Sequence, residues 1–113
     1  MKSRTGRVAL LTGLMLSTAV ALACKTPAPQ AVPTIIPAGT SCPSNYSHSG
    51  NTCAPSSGAR YFFVLSSSQS CPSNYAQEGR LCIADHSACY AYDAAGQSCP
   101  SGYGSSGRVC TSD

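Results

Sequence analysis

The stretch "SCPSNYSHSGNTC" (Ser41–Cys53) returns as "SCPSNYAQEGRLC" (Ser70–Cys82) and again as "SCPSGYGSSGRVC" (Ser98–Cys110). Cysteine, proline, serine, tyrosine, glycine and cysteine hold the same offsets in every copy. Pro43, Pro72 and Pro100 fix φ at about −65°, which suits the second position of a turn. Asn45, Asn74 and Gly102 follow two residues later and are types that readily take positive φ. A tight reversal is therefore expected just after the first cysteine of each copy. The dipeptides Ser49-Gly50, Glu78-Gly79 and Ser106-Gly107 supply a second turn, with glycine where a hairpin needs a residue without a Cβ. Centring the hairpin on those dipeptides sets Tyr46 opposite Cys53, Tyr75 opposite Cys82 and Tyr103 opposite Cys110. The two reversals together bring the cysteines of each copy toward one another.

This geometry predicts three local disulfides, Cys42 to Cys53, Cys71 to Cys82 and Cys99 to Cys110. Each closure contributes about 3 kcal/mol in the chain-entropy model. The competing arrangement links neighbouring copies, Cys53 to Cys71 and Cys82 to Cys99, and leaves two end cysteines unpaired. Local pairing is preferred because a bond made within one copy can be made in all of them.

Working outward, "ARYFFVL" (Ala59–Leu65) aligns with "ACYAYDA" (Ala88–Ala94), so that Tyr61 matches Tyr90 and Phe63 matches Tyr92. Aromatic and β-branched residues in such short runs favour strands. Each unit then reads as one strand followed by a disulfide-closed hairpin. The expected fold is small, disulfide-rich and mainly β, with three hairpin repeats at about 41–53, 70–82 and 98–110 and little or no helix beyond the N-terminal leader. From Cys42 onward Val, Ile, Leu and Phe make up about a tenth of the chain. That falls below the roughly 20% under which chains tend not to collapse unaided. Seven cysteines in the same segment offer the usual remedy for so thin a core, and they call for an oxidising compartment.

The N-terminus supplies the address. Lys2, Arg4 and Arg7 precede Val8–Ala23, an uncharged and largely apolar run of sixteen residues. A bilayer-crossing helix takes about 20, so the run fits the core of a signal peptide, residues 1–23. Its end, "VALAC" (Val20–Cys24), resembles the lipobox of bacterial lipoproteins, with Ala21 where that family more often has leucine. The resemblance implies a diacylglyceryl group on the Cys24 sulfur, removal of the leader, and an acylated amine on the new first residue. More than one acyl chain makes such an anchor durable. Lys25 follows in place of the aspartate that retains enteric relatives at the inner membrane, so the resemblance implies the outer membrane. The other reading is an ordinary cleaved signal with Cys24 merely near the cut. "KTPAPQAVPTIIPAGT" (Lys25–Thr40) is proline-rich, and residues 24–40 read as a lipidated cysteine and an extended tether. Alternatively, Thr34–Ile36 docks as an edge strand on the first repeat.

Once the leader is removed, Lys25, Arg60, Arg80 and Arg108 balance Glu78, Asp85, Asp93 and Asp113. A neutral chain has no electrostatic funnel for phosphate backbones, which excludes nucleic acid as the expected partner. The three-copy pattern resembles the Cys-Pro-x-Gly-Tyr-x3-Gly-x2-Cys units of cysteine-rich extracellular and wall proteins. That likeness implies a scaffold and names no activity.

Cys89 stands where the preceding unit has Arg60. It reads as a free thiol, as a bond to a second molecule that gives a disulfide-linked dimer, or as part of an altered pairing. Asp85, His86 and Cys89 lie close in sequence but lack the four-ligand pattern of structural zinc, so no metal and no cofactor is expected. His48 and His86 are the only imidazoles and no nucleophile-base-orienter set accompanies them, so no catalytic residue is assigned. Asn45-Tyr46-Ser47 matches a glycosylation acceptor, which is discounted in a bacterial lipoprotein. Tyr46, Tyr75 and Tyr103 either face outward and stack on sugars or on a partner's aromatics, or each packs on its own disulfide, and packing is preferred. The expectation is a non-enzymatic envelope lipoprotein, a structural or interaction module with a protein or glycan partner. A glycan-binding or adhesive module is the second reading and a redox or metal-handling role for Cys89 the third.

Overall fold

The computed structural model describes residues 24–113; the expected leader at 1–23 lies outside them. Every regular element among these residues is a strand. β1 (Thr34–Ile35), β2 (Tyr46–Ser49) and β3 (Thr52–Pro55) form the first sheet, in the order β1-β3-β2. β4 (Phe62–Val64), β5 (Tyr75–Glu78) and β6 (Leu81–Ala84) form the second, and β7 (Ala91–Asp93), β8 (Tyr103–Ser106) and β9 (Val109–Ser112) the third, each in the same antiparallel order. The fold is the small, disulfide-rich, mainly-β one that the sequence predicts. Each repeat is a linker strand followed by a hairpin, and the hairpin's second strand lies in the middle of the sheet. That placement is why Cys53, Cys82 and Cys110, all on middle strands, are fully buried.

The structure closes each repeat on itself through Cys42–Cys53, Cys71–Cys82 and Cys99–Cys110, every pair with its Cα atoms 5.6 Å apart. The hairpin register differs from the expected one. Tyr46 faces Pro55 and His48 faces Cys53; in the other repeats Gln77 and Ser105 face Cys82 and Cys110. The reason lies at the tips, where the two turn residues are Gly50-Asn51 and their counterparts. Gly50, Gly79 and Gly107 have φ of 62°, 61° and 61°, and the residue after each has no positive φ. Glycine is thus the first central residue of a II′-type turn, not the second, and every pairing moves by two residues. The earlier reversal forms as expected, with Asn45, Asn74 and Gly102 at φ of 67°, 66° and 87°. Its proline, however, opens the turn: the Tyr75 and Tyr103 amides donate to the Pro72 and Pro100 carbonyls at 3.2 Å.

Adjacent repeats share their cores. Ile36 and Cys53 from the first repeat pack with Phe62 and Leu81 from the second. Phe63, Leu65, Tyr75 and Cys82 of the second pack with Ala91 and Val109 of the third. No repeat buries enough apolar surface alone, and stacking lets each cover the next, as in solenoids.

The segment expected to be a free tether is instead bound along the stack. The Lys25 amide donates to the Asp113 carbonyl, the Ala28 amide to Ala88 at 3.0 Å, and the Tyr90 amide to Thr26 at 2.8 Å. Pro27 pairs with Cys89 and Gln30 with Arg60 in antiparallel bridges. This strap therefore runs from the third repeat back to the first, where it enters β1. Its prolines are compatible with that role because an edge segment donates only some of its amides, and proline is tolerated at those that do not. The expected edge strand at Thr34–Ile36 forms over Thr34–Ile35, with the Ile36 amide reaching the Asn51 carbonyl at 2.7 Å.

Candidate functional site

The repeated tyrosines sit at the junctions. Each lies at the start of a hairpin, directly after the reversal. The Tyr46 hydroxyl donates to the Arg60 carbonyl at 2.6 Å, and the Tyr75 hydroxyl to the Cys89 carbonyl, also at 2.6 Å. The Tyr46 ring meets Phe62 edge-on with centroids 5.0 Å apart, and the Tyr75 ring meets Phe63 at 5.4 Å. Burial raises the Tyr75 phenol well above its ordinary pKa, with Tyr90 and Asp85 adding to the rise and a backbone hydrogen bond opposing it. The group remains a protonated donor across the whole working range of pH. Tyr75 is only 9% exposed. Neither it nor Tyr46 is the outward stacking face considered from sequence, because each hydroxyl already bonds to the next repeat and each ring already packs on a linker aromatic. Tyr103 is different: its ring rests on Tyr90 and Tyr92, at 6.2 and 6.0 Å, and among the described residues no carbonyl receives its hydroxyl.

The fourth disulfide joins Cys24 to Cys89, 65 residues apart in sequence. Cys89, expected as a free or intermolecular thiol, is therefore paired within the chain, and Cys24, expected to carry lipid, is 7% exposed with its sulfur committed. A thioether and a cystine cannot share one sulfur, so the two fates of Cys24 exclude each other. The signal for this pairing was in the count: eight cysteines, six of them taken up by the hairpins, leave these two.

A polar cluster absent from the sequence reading ties the second repeat to the third. The Asp93 carboxylate accepts from the Ser66 amide at 2.7 Å, the Ser66 hydroxyl at 2.9 Å and the Ala95 amide at 2.7 Å. Arg108 completes it, its Nε donating to the Ser66 hydroxyl at 2.8 Å and its amide to the Gln69 side-chain oxygen at 3.1 Å. Burial pushes the Asp93 carboxyl up, but those hydrogen bonds and the Arg108 charge outweigh it and hold the pKa below the ordinary value. Asp93 aligns with hydrophobic Val64, and nothing in a one-copy reading of the linker flags such a substitution as a contact.

Asp85 and His86 line a shallow cleft of about 170 Å³ between the strap and the second repeat, with Arg60 and Tyr61 beside them. Asp85 accepts from both the amide and the hydroxyl of Ser87, at 2.8 and 2.9 Å, which lowers its pKa. These bonds make a local turn, the ordinary use of an aspartate two residues ahead of a serine. Among the described residues no group of three His, Cys, Asp or Glu side chains could hold a metal ion.

No family model, curated protein or solved structure matches the chain. What its residues assemble is three stacked repeats with exposed hairpin tips and one strap across the linkers.

Proposed function

We propose that this chain is a non-enzymatic module of a bacterial cell envelope, exported into an oxidising compartment, anchored through Cys24, and acting as a structural spacer or interaction scaffold. The observation that carries this reading is the location of the apolar side chains. Both clusters lie at junctions between repeats and each includes half of a cystine, so the scarce hydrophobic residues fix the spacing of the repeats. A stack built in this way presents one hairpin tip from each repeat, which suits a repetitive partner.

The sulfur of Cys24 decides the form of the strap. Alkylation by a diacylglyceryl group withdraws it from disulfide exchange, and Cys89 then stays a thiol, open to a second chain. A copy that escapes alkylation closes Cys24 onto Cys89. Intact-mass measurement and non-reducing peptide mapping of protein extracted from native membranes test this directly. The expected result is lipid on the Cys24 peptide, three hairpin cystines and a Cys89 that reacts with iodoacetamide. Cys24→Ser should move the chain to the soluble fraction with its hairpin cystines intact. Membrane-bound protein carrying a Cys24–Cys89 cystine would overturn the anchor.

A further inference from the structure

The two internal junctions share one construction, and the molecule carries both halves of that construction again at its ends. In each junction a hairpin tyrosine donates to the carbonyl of the residue three places before the linker residue that pairs with the middle-strand cysteine. Phe63 pairs with Cys82 and the acceptor is Arg60; Tyr92 pairs with Cys110 and the acceptor is Cys89. In the first repeat Thr34 pairs with Cys53, so the equivalent carbonyl belongs to Ala31. Pro33 holds the place of Phe62, on which Tyr46 rests, and Ile35 that of Val64, which packs into the first junction. Ile35 is 68% exposed and its neighbour Val32 50% exposed; they are the large hydrophobics left open among the described residues. At the opposite end Tyr103 repeats Tyr46 and Tyr75 with no acceptor among the described residues.

We infer that these end faces form a further junction between copies of this chain, the third repeat of one molecule stacking on the first repeat of the next. The Tyr103 hydroxyl donates to the Ala31 carbonyl of the second copy and its ring covers Pro33, beside Ile35. The internal junctions are the reason for choosing a second copy as the occupant: surfaces equivalent to these two meet at both, each time through the same tyrosine-to-carbonyl bond. Such a contact joins unlike surfaces, so it propagates head to tail into chains or rings and does not close as a symmetric dimer. The inference goes beyond the proposed envelope role and needs neither export nor lipid.

A small patch without a covalent link binds weakly, so the oxidised chain is to be sampled by sedimentation velocity from about 10 μM to about 1 mM. The expected result is a mass that rises with concentration past that of a dimer. Ile35→Glu alters an exposed side chain and Tyr103→Ala removes the opposite half; each alone should remain monomeric. Mixed in equal amounts they should form one-to-one dimers that grow no further, because each supplies the face that the other lacks. Tyr103→Phe keeps the ring and should weaken association roughly two- to tenfold, the loss of one hydrogen bond. A wild-type chain that stays monomeric throughout overturns the inference. Association by either of the first two variants alone, or a mixture that does not pair, does so equally.

Discussion

Residues with one consensus role carry unequal weight across the repeats. Gly50 and Gly107 both occupy the first tip position at φ of 62° and 61°, where a Cβ costs about 1 kcal/mol or more. Around Gly50 the space for a Cβ is open, whereas at Gly107 it would run into the Gln69 side-chain oxygen. That oxygen accepts the Arg108 amide, so a methyl group there also displaces a hydrogen bond between repeats. Gly107→Ala should therefore destabilise more than Gly50→Ala, by about 1 kcal/mol. Denaturant unfolding of the oxidised proteins measures the difference, and equal losses would show that Gln69 moves aside without consequence. The tyrosines show the same inequality, since two have acceptors for their hydroxyls and the third has none among the described residues.

At the scale of elements, the repeat was readable because its parts are local. Proline, positive-φ residues and glycine at constant offsets fix two reversals, and closing both leaves the two cysteines within bonding distance. The register was not readable to the residue, because Ser-Gly and Gly-Asn are both plausible tips and only backbone twist selects the second. The Asp93 cluster escaped notice for another reason: it joins Ser66 and Gln69 to Arg108, residues far apart in sequence that meet only once repeats stack. It makes a testable contribution to acid stability. The folded pKa of Asp93 is lowered from an unfolded value of about 3.9, so the native state is favoured above that value, and this contribution fades as pH falls through the folded pKa. The unfolding midpoint should accordingly decline from about pH 4 downward. Asp93→Asn should flatten that decline while lowering stability at neutral pH. An unchanged slope in the variant would assign the acid sensitivity elsewhere.

At the scale of the whole molecule, the strap changes how the repeats cohere. Its cystine spans 65 residues, and closing so long a loop is worth about 4 kcal/mol in the chain-entropy model. A Cys24→Ser, Cys89→Ser double variant should keep its hairpins but lose hydrogen-exchange protection at the Ala28 and Tyr90 amides, which bond across the strap. Retained protection at both would mean that hydrogen bonds alone hold the segment. The sequence suggested a free tether here because prolines rule out helix and central strand. It said nothing of edge pairing, which depends on where the linkers lie once the stack exists. The strap also brings the beginning of the described chain to its end, with Lys25 bonded to Asp113. A mechanical load applied between Cys24 and Asp113 would cross from sulfur to sulfur and then through the third repeat. The first two repeats, enclosed in the bypassed loop, would feel no tension until that bond broke.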